Sequence, residues 1–493
     1  MNINKEYSYT PLTFFFKSKG WAAILLIFLL YQFYNYLITK DEFSSVMFAL
    51  SPLLIISLVS IFIYIEKAIY PLIISQFILV IATGYFDLPL GIYSLISAAV
   101  LILLLIIKNI YTKVDLQHGK NSMLVIFLVW GVFCLGEIGN PNNVQEAWNI
   151  SITHYAFYPI LCAILVPMAI KKNRHIEWLY IIWSIFIIIV ATKGFIQKTY
   201  GFNAKEMNDL FVLGKAKTHI IWSGIRYFSY FTDAANYGVH MAMGATVFAL
   251  LSYYSKNYLV KIYYLLIVGM AIYGMGISGT RSAIGVPLGA IALFILLSKN
   301  KNSFIVGIFA LVIMTLFFRF TTIGNSNEYI RKMRSAFYAE QDDSYQVRVE
   351  NRKKISALMV YKPFGYGIGL AGKADRFHPK EVMPYPPDSW LVSVWIDTGV
   401  IGLVCYIIAH FILFIICAWI LLFKIKNQRL KGLLTAWLCA NAGYFVAAYA
   451  NDVMQYPNSI IVYTGFALCF AGVHIDKKLT EEEEENKKNI PIL

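Results

Sequence analysis

The strongest constraint on this chain is a recurrence of unbroken apolar runs. Residues 21–38, 94–107, 178–191 and 400–425 hold almost no charge, and each reaches or approaches the ~20 residues that carry a helix across a bilayer. A barrel does not account for them, because barrel strands alternate apolar and polar residues while these runs are apolar all round. With 58% hydrophobic and 14% charged residues, the chain lies well below the roughly one-quarter charged content of soluble proteins. The sequence predicts an all-α, polytopic helical membrane protein.

Fourteen spans are expected, centred near residues 30, 55, 77, 99, 130, 161, 185, 244, 268, 290, 311, 411, 442 and 466. They divide the chain into seven spans over 1–192, a connection at 193–233, four spans over 234–320, a large loop at 321–388, three spans over 389–475 and a tail at 476–493. From a cytoplasmic N-terminus, the short basic clusters near residues 66–67, 108–120, 171–175, 256–261, 299–301 and 424–431 all fall inside, as the positive-inside rule requires. Lys17 and Lys19 precede an apolar run with no small-residue cleavage site, so the N-terminus reads as an uncleaved first span. The Glu481–Glu485 run with Lys487 and Lys488 predicts a disordered cytoplasmic tail. A net charge of +14 suggests nucleic acid, but cations grouped between apolar runs are topology determinants, and no nucleic acid is expected. The six cysteines lie in or beside apolar segments without metal spacing and read as packing residues.

Two connections expected outside break the charge rule. One spans 193–233, with Lys198, Lys205, Lys215, Lys217 and Arg226; the other is the large loop, with Arg331, Arg334, Arg348, Arg352, Lys353, Lys354 and Arg376. Such loops either carry incidental surface charge or hold an anion. Arg281, in Ser278-Gly-Thr-Arg, stands at the mouth of a span near a helix N-terminus, as an interfacial anchor or an anion ligand. Residues 344–361 show helical periodicity, with Val347, Ile355, Leu358 and Met359 available for burial. On that helix Arg348 and Arg352 share a face, suited to a diphosphate, while Glu350 and Lys354 mark a solvated alternative. Gly365-Tyr-Gly-Ile-Gly lacks the context of a nucleotide loop and reads as a tight glycine turn. Asp388 and Asp397 are each a candidate base or helix cap, His378 is the only histidine of the large loop, and His410 reads as a packed residue. Carboxylates do not cluster at metal spacing, so neither metal nor cofactor is expected.

Ser278-Gly-Thr-Arg-Ser opening a span, Lys362-Pro-Phe-Gly-Tyr-Gly-Ile-Gly, and Ser389-Trp-Leu followed by Asp397-Thr-Gly-Val-Ile-Gly-Leu resemble the O-antigen ligase/polymerase superfamily over about residues 226–403. The resemblance implies glycosyl transfer between lipid-linked sugars at the outer face of a bacterial cytoplasmic (inner) membrane. The donor would be a glycan on undecaprenyl diphosphate, with Arg226, Arg281 and Arg348 holding the diphosphate and Arg352 beside them. Asp388 is the first candidate for general base and His378 the second. Implied partners are the undecaprenyl-diphosphate-linked oligosaccharide, membrane lipid, a chain-length regulator and a flippase. Where ligases of the family carry His-Asn, this chain has Pro387-Asp388, so a polymerase of O-antigen, capsule or exopolysaccharide repeats is expected. A ligase is the alternative within the class, and a flippase or transporter of lipid-linked glycans the alternative outside it.

Overall fold

A computed structural model describes residues 62–488 apart from 87–89, 112–116, 222–223 and 342, together with residues 30, 31 and 34. Among the described residues, nine helices are long and apolar enough to cross a membrane, and three more apolar helices are shorter. In chain order we label α1 (Ile69–Thr83), α2 (Leu90–Tyr111), α3 (Ser122–Gly139), α4 (Gln145–Ala169), α5 (Asn173–Tyr200), α6 (Ala234–Tyr254), α7 (Tyr258–Ile277), α8 (Gly285–Leu297) and α9 (Lys301–Phe320). Two helices of the large loop, α10 (Glu328–Ser335) and α11 (Asp343–Met359), precede α12 (Trp390–Lys424), α13 (Gln428–Ala450) and α14 (Asn458–Lys488). The expected span centres from residue 77 onward each fall inside one of these helices, while those at 30 and 55 lie outside the described residues. Two-residue strands β1 (Ile220–Ile221) and β2 (Gly224–Ile225) pair antiparallel in the connection after α5.

The helices sort into centre and rim by burial. The apolar stretch of α14 is 89% buried and that of α6 83%, whereas α9 is 6% buried and faces outward almost entirely. A chain of hydrogen bonds stitches the centre. Trp183 Nε1 donates to His240 Nε2 (3.0 Å), His240 Nδ1 meets Asn458 Oδ1 (2.8 Å), and Asn458 Nδ2 donates to Asn236 Oδ1 (3.2 Å). Inside a low-dielectric bundle such a chain specifies one register of α5, α6 and α14. His410 is likewise packed, with Nδ1 on Tyr406 O (2.9 Å) and Nε2 near Tyr463 OH (3.3 Å). Cys134, Cys162, Cys417, Cys439 and Cys469 are buried and Cys405 is exposed, all as free thiols.

The short basic clusters gather at one end of the bundle. There Lys171 pairs with Glu66 (3.5 Å), Arg429 with Glu177, and Lys299 Nζ reaches Leu422 O (2.5 Å). The large loop covers the opposite end. Its glycine turn is fastened to a break in α12, where Gly399 takes φ 69°. Asp397 accepts from the amides of Gly369 (2.9 Å), Leu370 (3.1 Å) and Ala371 (2.8 Å) and from the Tyr155 hydroxyl (2.9 Å). Asp397 is therefore a clamp that holds the loop on the bundle.

Two local expectations are corrected. Within α11, Ile355 and Met359 are buried against Tyr366 and Ile396, but Val347 and Leu358 are exposed, because only the last turns of the helix rest on α12. The tail is not disordered from residue 476, since α14 continues through the acidic run to Lys488. Glutamate and lysine are good helix formers, and pairs such as Lys477–Glu481 (3.8 Å) sit one turn apart.

Candidate active site

The loop cations sort themselves by partner. Between residues 193 and 233, Lys193 is paired with Glu206 (2.7 Å), and Lys205 and Lys215 share Asp209 (3.4 and 2.8 Å). In the large loop Lys354 pairs with Glu350 (2.6 Å) and Lys362 with Glu381, while Arg334 turns onto the carbonyls of Phe317 (3.3 Å) and Ile323 (3.0 Å). Much of the charge in both connections is thus structural or solvated.

Three arginines behave differently. Arg226, at the end of β2, lays its guanidinium along the turn before α8, with Nε on Ser278 O (3.4 Å) and Nη2 on Thr280 Oγ1 (3.2 Å). Arg281 opens the helical turn Arg281–Ile284 of that same segment. Arg348 reaches from α11 to Ala450 O (3.1 Å) and Asn451 Oδ1 (3.2 Å), and Asn451 in turn donates to the Ser282 hydroxyl. Arg281 lies within electrostatic reach of both other arginines. Burial pushes the Arg226 pKa down and Arg348 adds to the shift, against the opposing pull of Asp233. Burial also lowers that of Arg348, opposed by Asp388 and assisted by Arg352. Guanidinium groups do not release protons at such sites, so their crowding favours an anion among them.

The Arg348–Arg352 pair is divided by the structure. Arg352 clasps Tyr449 instead, through its hydroxyl (3.2 Å), its carbonyl (3.2 Å) and its ring face (4.9 Å). Asp388 accepts from Asn351 Nδ2 (3.2 Å) and faces the charge of Arg348. His378 is exposed on left-handed backbone (φ 47°), and no contact among the described residues ties it to the arginines.

Beside the cluster, α6, α7, α8 and α9 line an apolar cavity of about 670 Å³, bounded by Ile272, Pro287, Phe294, Ala310 and Met314 among others, with Lys198 as the one Lys or Arg among the described residues of its lining. Tyr329, Ile330 and Met333 of α10 roof it. A cationic cluster against an apolar chamber is the shape of a site for an amphiphile with an anionic head.

Residues 265–407 match the O-antigen ligase family. Over this stretch, less than a third of its length, the chain is similar to the O-antigen ligase/polymerase superfamily. The superfamily covers ligases and polymerases, membrane enzymes of the glycosyltransferase kind. No curated protein matches the chain. The matched segment contains Arg281, Arg348, Asp388 and the Asp397 clamp, whereas Arg226 lies before it.

One acidic residue near the site carries no local motif in the sequence. Asp452, in the connection from α13 to α14, directly follows the Asn451 that binds Arg348. Its Oδ2 accepts from Gln455 Nε2 (3.2 Å), and the buried Ser393 hydroxyl faces the same carboxylate. Burial raises its pKa, with Lys373 opposing and Asp233 adding to the rise. The available signal was an acidic residue just past a span, in a connection devoid of Lys and Arg.

Proposed function

We propose that the protein polymerises surface-polysaccharide repeat units, moving a glycan from undecaprenyl diphosphate to a lipid-linked repeat at the outer face of the bacterial inner membrane. The convergence of Arg226, Arg281 and Arg348 next to an apolar chamber carries this reading. The diphosphate would lie among the guanidinium groups and the first isoprenes in the chamber. The acceptor hydroxyl attacks the anomeric carbon of the donor glycan and gives its proton to a carboxylate. The bond from that carbon to the diphosphate oxygen breaks, and the departing negative charge is stabilised by the arginines. Asp388, the first sequence candidate for base, is engaged by Asn351 and Arg348 and suits the orientation of Arg348. We assign the proton to Asp452, which directly follows the Asn451 that binds Arg348 and whose raised pKa fits a general base.

Pro387-Asp388, in place of the His-Asn of ligases, favours polymerase over ligase. A flippase is disfavoured because the cations crowd one end while the chamber between the helices is apolar. Glycan ladders from a null strain and an Arg281→Ala strain test the proposal. A polymerase leaves single-repeat products in both; full-length polymer stranded on its carrier points to a ligase. A normal ladder from Arg281→Ala removes the arginine site altogether.

A further inference from the structure

The short helix α10 connects the chamber to the arginines. Tyr329, Ile330 and Met333 form the chamber roof, whereas Lys332 points toward the turn that carries Arg281. A Cβ built on Gly279 of that turn would stand 3.5 Å from Lys332 Nζ and 3.4 Å from Arg226 Cγ. The ammonium therefore lies beside the stem of Arg226, over the same backbone that Arg226 binds. The lysine is only 9% exposed, so it cannot escape the cluster by turning into water.

Its sole ionic partner among the described residues is Glu328, one turn earlier, at 2.6 Å. Neither Lys332 Nζ nor Glu328 Oε1 makes an aligned hydrogen bond, although both atoms are sheltered. A buried ion pair recovers its desolvation cost only with good geometry, so this one is a weak source of stability. The partners also differ in freedom, since the Glu328 side chain is 37% exposed against 9% for Lys332. Of the two, the carboxylate is the group that can leave. It rests against Gly224 at the tip of the β1–β2 hairpin, where a Cβ would overlap the carboxylate.

Building on the proposed function, we infer that Lys332 is a fourth cation of the polyprenyl-diphosphate site and that Glu328 occupies the position of a phosphate oxygen. Binding of the diphosphate exchanges one anion for another on Lys332 and releases Glu328 to water. The exchange couples the anionic head to the chamber roof, because the displaced residue and the roof share one helix.

The test is binding of undecaprenyl diphosphate to the full chain in lipid nanodiscs, comparing wild type with Lys332→Met, Lys332→Arg, Glu328→Gln and Arg281→Ala. The inference expects opposite signs. Lys332→Met weakens binding roughly tenfold, the scale of one charge-assisted contact, Lys332→Arg retains it, and Glu328→Gln tightens it several-fold by removing the competing carboxylate. A merely structural pair gives the same sign for both partners, a loss of thermal midpoint with equal or weaker binding, and that result overturns the inference. If Lys332→Met does not fold, Glu328→Gln decides alone: unchanged or weaker binding overturns the exchange. Wild type that binds and loses the lipid on Arg281→Ala, while the Lys332 and Glu328 variants match wild type, removes only this inference. Wild type that does not bind removes the diphosphate reading as well.

Discussion

Asp452 is a buried carboxylate that directly follows the Asn451 bound by Arg348. Its raised pKa has two consequences of opposite sign. As a base it must be ionised, so turnover falls on acidification at a higher pH than an ordinary aspartate would impose. For stability, the native state binds more protons than the unfolded chain between the ordinary carboxylate pKa and the raised one. Stability therefore declines as pH rises through that window and stays reduced above it. Asp452→Asn should lower kcat by about 10²-fold or more, flatten the acid limb of the pH profile, and raise the thermal midpoint at neutral pH. A pH–rate series beside a melting series checks all three. A midpoint that falls together with the rate would mark Asp452 as structural.

At the scale of elements, catalysis on this plan depends on how the large loop is held. Asp397 gathers three amides of the glycine turn and one tyrosine hydroxyl, and hydrogen bonds to an ionised carboxylate are about twice as strong as neutral ones. Asp397→Asn should loosen residues 365–371, raise protease cleavage there, and leave the α12 helix in place. Limited proteolysis of membranes reads this directly; an unchanged cleavage pattern would show that packing alone retains the turn. Gly399 is less tolerant still, because its left-handed backbone lies against the Pro363 carbonyl. The sequence marked both glycine segments but not their contact, since the pairing joins residues about thirty apart through a break inside a span. The same limit hid Asn451. Its bond to Arg348 crosses more than a hundred residues and leaves no local pattern.

For the whole molecule, apolar length and charge asymmetry made most of the architecture legible. Each expected span centre from residue 77 onward lies in an apolar helix, because bilayer thickness sets the length of apolar run that a span needs. The arginine cluster was legible as residues but not as a site, since Arg226, Arg281 and Arg348 meet only through tertiary packing. Reporter fusions test the orientation on which the proposal rests. Fusions within 321–387 should report outside and fusions within 424–431 inside; a cytoplasmic signal from 321–387 would end the polymerase reading.

The wall of the chamber formed by α9 has a kinetic meaning. This helix offers Val306, Ala310 and Met314 to the chamber, yet almost none of its length is buried by protein. Among the described residues, a single helix thus separates the chamber from the surroundings. On the proposed function, a carrier that enters beside it arrives by sliding within a leaflet and never crosses water. Its effective concentration is then counted per lipid molecule rather than per litre, so diluting the membrane with inert lipid slows encounter while diluting the suspension does not.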